Sequence, residues 1–156
     1  MMSRLQKGLI AGFAATVAVS LLEIPNLFLN RFDPFQRVIA ALIGMPDALA
    51  VGWVLHAVAG VLILGPLFAY LCPRLPTDTP ETKGIVFAVG AWVVMMAGVF
   101  IVGDYRTFNA GSGFGTIAWL LVTHAVFGIV LGNVYARLVA RDKRQTPHVI
   151  GGATAH

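Results

Sequence analysis

The chain has 156 residues, of which 58% are hydrophobic and 12% charged, and its mean hydropathy is +0.81. An average soluble domain is about one-quarter charged, so this chain has too little charge to cover a water-facing surface and belongs in a bilayer. Its net charge of +4 and pI near 9.7 would suggest nucleic acid in a soluble protein. Here the charges sit at the ends of apolar runs, so no nucleic-acid partner is expected, and the single Cys72 excludes an intramolecular disulfide or a multi-cysteine metal site.

Four runs are long enough to span, at roughly residues 8–29, 50–71, 84–103 and 113–139, since about 20 helical residues cross a hydrocarbon core of roughly 30 Å. The first follows Arg4 and Lys7 and contains a passable cleavage site at Ala18-Val19-Ser20. It continues past Ser20 without a stop, which argues for a span and against a cleaved signal. Gly8, Gly12, Thr16 and Ser20 form a four-residue stripe down this span, Glu23 lies one turn further on, and Pro25 with Asn26 is expected to break its outer end.

Between the first two spans, Asp33-Pro34 reads as a helix start. Phe35, Val38, Ile39, Leu42 and Ile43 repeat at helical spacing until Gly44. This predicts a short amphipathic helix on the outer interface, with a re-entrant segment as the alternative. The second span carries His56, Gly60 and a kink signal at Pro66. A proline-rich connection (72–83) leads to the third span, and the flexible loop 104–115 leads to the fourth, which holds His124, Gly128 and Gly132. The tail 145–156, with His148 and His156, has no periodicity and is expected to be mobile. Residues 1–144 thus form a single four-helix transmembrane domain.

The second and fourth spans repeat one another. LHAVAGVLILGPLFAYL (55–71) and THAVFGIVLGNVYARL (123–138) share His-Ala-Val, a Gly four residues after the His, a second Gly, and an aromatic-Ala-x-Leu ending. Lys7-Gly8 and Lys83-Gly84 open the first and third spans. The fold expected is an all-α four-transmembrane-helix bundle made of two helical-hairpin repeats of the same orientation. Close approach of the small-residue faces supplies the packing. Eight basic residues (Arg4, Lys7, Arg74, Lys83, Arg137, Arg141, Lys143, Arg144) fall at the termini and middle connection, against three (Arg31, Arg37, Arg106) in the other two loops. The positive-inside rule therefore places both termini and the connection at 77–83 in the cytoplasm.

Ionisable groups inside a bilayer are costly and need a reason. Glu23, His56 and His124 qualify, each roughly 4–8 Å outward of its span's midpoint at 1.5 Å per residue. Three meanings are open. The cluster is structural, with Glu23 paired to imidazole. Or His56 and His124 ligate a b-type haem, flanked by Trp53 and Trp119. Or Glu23, His56 and His124 hold a zinc or non-haem iron ion. With no nucleophile–base pair and no phosphate-binding loop, no enzyme activity is expected, and no cofactor is expected unless the haem reading holds. The function expected is that of an accessory or assembly subunit of a larger respiratory or photosynthetic membrane complex, contacting lipid and other subunits or its own copies. The alternatives are a bis-histidine haem electron-transfer protein and a small metal or solute carrier.

The segment His124-Ala-Val-Phe-Gly128-Ile-Val-Leu-Gly132-Asn-Val-Tyr135 resembles one that recurs in small bacterial inner-membrane proteins filed as domains of unknown function. The resemblance covers roughly residues 4–140. It implies a four-helix inner-membrane fold and assigns no catalytic residue.

Overall fold

The computed structural model describes residues 2–102 and 113–145; Arg106 of the expected loop and His148 and His156 of the expected tail lie outside them. Helix α1 (Arg4–Leu29) starts at a capping box. The Ser3 hydroxyl accepts the Gln6 N–H at 3.1 Å, and the Gln6 side chain accepts the Ser3 N–H at 2.8 Å. Two otherwise orphaned donors are thereby satisfied. Pro25 does not end the helix. It runs on to Leu29 and stops at Asn30, whose left-handed φ of 47° turns the chain while its N–H bonds the Asn26 carbonyl.

The second apolar run is a composite: α3 (Leu49–Ala57), a π-helical segment (Val58–Leu64), α4 (Gly65–Leu71) and a short 3₁₀ turn (Cys72–Arg74). The π segment closes with an i−5 bond from the Gly65 N–H to the Gly60 carbonyl, just before Pro66. A proline ring inside an α-helix collides with the carbonyl four residues earlier, and the wider π turns give it room. Helices α5 (Pro80–Val102) and α6 (Gly113–Gln145) follow without interruption.

Among the described residues, four helical stretches are long and apolar enough to cross a membrane, which marks a multi-pass membrane protein. The outward faces carry large apolar side chains such as Phe13, Leu21, Leu62 and Ile101, all more than half exposed, a surface suited to lipid. Glycine sets the helix contacts. A methyl on Gly8 would lie 2.7 Å from the Gly65 carbonyl oxygen, and one on Gly12 would lie 2.6 Å from that of Gly60. On the other side, Gly84 abuts the backbone of Gly128 and Gly132. α1 thus packs on the π segment and α4, α5 packs on α6, and α1 with α6 joins the two pairs. At the end bearing the N-terminus, Lys7 and Asp142 form a 2.7 Å ion pair that the Met2 N–H also joins, and the Tyr135 hydroxyl donates to the Ala69 carbonyl.

The interhelical segment between the first two spans is the short helix α2 (Phe35–Ala41). It does not lie free across the bundle's surface, because every one of its residues is buried or half-buried. Gly52 is the cause: its missing side chain lets the Gln36 backbone press directly on α3. Nor does Asp33 cap it. The cap position falls on Pro34 with no side-chain bond, and the Asp33 N–H donates to the Thr116 hydroxyl on α6.

Candidate functional site: a cavity between the spans

Glu23 is fully buried. Its carboxylate accepts the Asn26 amide and the Trp119 indole N–H, both at 2.8 Å, and faces the Phe35 backbone N–H at the first residue of α2. The Asn26 side chain also clasps Phe32 through both its N–H and its carbonyl, and the Phe32 ring stacks on Trp119 at 5.5 Å. Glu23 therefore anchors the start of α2 to α1 and α6. Asn26, expected near the broken carbonyls around Pro25, works in this network instead, and Trp119 is Glu23's donor.

The two histidines lie elsewhere. His56 and His124 line one cavity of about 290 Å³. Every span contributes to its wall: Val19 from α1, Gly60 and Ile63 from the π segment, Met95 from α5 and Phe127 from α6, with Phe35 and Ile39 added by α2. The structure joins the imidazoles in one space and leaves Glu23 out of its wall. Among the described residues no three His, Cys, Asp or Glu side chains come together as a metal-holding group.

Hydrogen bonding fixes the proton of His124. His124 Nδ1 lies 2.7 Å from the Leu120 carbonyl oxygen. A carbonyl only accepts, so Nδ1 carries the proton. In His56, Nε2 is buried without a partner, and the ring lies against the Thr16 backbone carbonyl. That contact is possible because Gly60 has no side chain to hold the Thr16 hydroxyl away. Among the described residues no carboxylate lines the wall to balance an imidazolium, and a bare charge in the spans is costly. Both rings are therefore neutral; His124 is the Nδ1–H tautomer with an Nε2 lone pair, and the Thr16 carbonyl beside His56 favours the same arrangement there. Phe35 packs against the His56 ring at 4.3 Å, and Trp53 meets it edge-on at 6.2 Å.

The cavity reaches the lipid-facing side. Ile63 is 54% exposed and Val94 is 73% exposed, yet both line it. α5 rests on α6 and has no extensive contact with α3 or the π segment. It meets the second run through the edge-on pair Phe68–Phe87, 5.3 Å apart, while Leu42 beyond α2 approaches Gly98 at the other end. Between those two contacts the wall is open. Sequence reading missed Thr16, Phe35 and Met95 as parts of this site; for Thr16, its place on the small-residue stripe facing Gly60 was the available signal.

No curated protein and no solved structure matches the chain. A family model described as a family of unknown function, DUF6789, matches residues 2–146, and the chain belongs to that family.

Proposed function

We propose that this is a non-enzymatic, multi-pass protein of the bacterial inner membrane, with cytoplasmic termini and two repeated hairpins, whose bundle holds a small lipophilic guest taken laterally from the bilayer. The observation that carries this reading is the apolar cavity walled by all four spans and open between the π segment and α5. Its volume of about 290 Å³ falls just short of ordinary small-ligand sites, roughly 300–1,000 Å³, which suits a compact guest. The non-enzymatic role is supported by Thr123, a hydroxyl in the wall that donates to the Leu120 carbonyl rather than to an imidazole. Of the sequence-based alternatives, this is the solute carrier. A haem suits the site less well, because the cavity is small for a macrocycle and, among the described residues, no lysine or arginine lines it for propionates. The role of an accessory subunit is compatible with a bound guest, since the apolar outer faces suit lipid and a partner helix equally.

The test uses protein reconstituted in lipid nanodiscs with tetramethylbenzene as an apolar probe. Wild type retains the probe, and Ala91→Phe, which fills the cavity from α5, does not. Equal retention by both proteins rejects the guest reading. A Soret band in the purified protein that disappears in His56→Ala and His124→Ala puts haem in its place.

A further inference from the structure

The guest has a definable chemistry. Two imidazoles line the cavity. His124 Nδ1 holds its proton against the Leu120 carbonyl, which leaves the lone pair on Nε2; His56 Nε2 is buried without a partner; and the Thr123 hydroxyl proton is used on Leu120. The remaining surface is hydrocarbon, aromatic ring and thioether, including Phe35, Phe127 and Met95. We infer that the cavity selects a compact apolar ring bearing hydroxyl donors, of the phenol or hydroquinone class, and discriminates against the corresponding ethers and quinones. This rests on the guest reading above and specifies it.

The physical basis is an asymmetry of unmet bonds. A hydroxyl entering this space gives its proton to an imidazole that otherwise has no partner, whereas an ether or carbonyl brings a second acceptor against the first. Leaving a buried acceptor unpaired costs more than a matched bond gains, and sites built around one polarity reject the isostere lacking it. Interhelical hydrogen bonds in bilayers are worth about 0.6 kcal/mol on average and at most about 1.7, so two of them set a preference of about tenfold. Lateral access fits the same class, because such rings partition into hydrocarbon before they reach the protein.

The experiment compares three probes that share one carbon frame: tetramethylhydroquinone under anaerobic reducing conditions, its dimethyl ether, and tetramethylbenzene. Binding to nanodisc-embedded protein is read by quenching of tryptophan fluorescence, Trp53 standing beside His56. Affinities are referred to the probe concentration in the bilayer. Wild type should bind the hydroquinone about tenfold more tightly than the ether. In His56→Leu/His124→Leu that preference should fall below about threefold, with tetramethylbenzene binding retained as proof of folding. Equal binding of all three probes by wild type, or a preference that survives in the double variant, overturns the donor selectivity while leaving the guest reading intact. No binding of any probe, tetramethylbenzene included, overturns both.

Discussion

Removing the Glu23 carboxylate should loosen the far end of the bundle by an amount the geometry defines. Glu23→Ala strands the Trp119 indole N–H and one donor of Asn26, and it takes away the acceptor facing the Phe35 N–H. In water each such loss would cost about 1–3 kcal/mol. In a bilayer the unfolded reference also finds partners, so measured pair terms average about 0.6 and reach about 1.7 kcal/mol. Glu23 is fully buried and its bonds to Asn26 and Trp119 are both 2.8 Å, so the upper half of that range applies. The Glu23–Trp119 coupling should be about 1–1.5 kcal/mol, and the single substitution should cost about 2–3 kcal/mol with the space it leaves. A double-mutant cycle of Glu23→Ala and Trp119→Phe, followed by reversible unfolding in mixed micelles, measures the coupling directly. Glu23→Gln serves as the shape-matched control. It should recover only part of the loss, because its amide turns a donor toward donors. A coupling near zero, or full recovery by glutamine, would refute the picture of a carboxylate held by converging donors.

Four further outcomes follow from the packing. Gly84→Ala places a methyl 2.6 Å from the Gly128 carbonyl carbon; α5 and α6 must part by about 1 Å, and a loss of about 1–3 kcal/mol is expected, readable as a lowered Tm in detergent. Gln36 is fully buried with neither amide atom bonded, so Gln36→Leu should raise the Tm; a marked fall would mean the amide has a partner. Asp142→Asn should destabilise more than the Lys7→Met/Asp142→Asn double variant, because the single change strands a Lys7 ammonium that is about nine-tenths buried; additive losses in the same unfolding assay would contradict this. Pro66→Ala restores the missing N–H and removes the reason for the wide turns. It should convert the π segment toward α-helix, narrow the cavity and weaken tetramethylbenzene binding.

Much of this architecture is legible in the sequence because bilayer constraints are severe. The apolar runs with charge at their ends declare the spans, and the stripe Gly8, Gly12, Thr16 names the face of α1 that meets the second span. The histidine pair is legible as well, since each ring stands four residues before the glycine that admits a neighbouring helix. The partner of Glu23 was not. Depth and stripe position place Glu23 near the histidines, but Asn26 and Trp119 claim its oxygens, and the direction of a side chain along its helix is a tertiary fact. The burial of α2 was hidden for a similar reason: its apolar spacing suits an interface, and only the contact of Gln36 with Gly52 shows that it is packed inward. The π segment has no local signature beyond Pro66, since VAGVLIL reads equally well as an α-helix.

Everything proposed for the cavity depends on two neutral imidazoles presenting unprotonated Nε2 atoms to it. The direct measurement is long-range ¹H–¹⁵N correlation on ¹⁵N-histidine-labelled protein in nanodiscs at neutral pH, with His56→Leu and His124→Leu assigning the signals. Both rings should show the Nδ1–H pattern, with Nε2 shifting when tetramethylhydroquinone is added and not when its dimethyl ether is. An Nε2–H tautomer or an imidazolium at either position would contradict an acceptor-lined site.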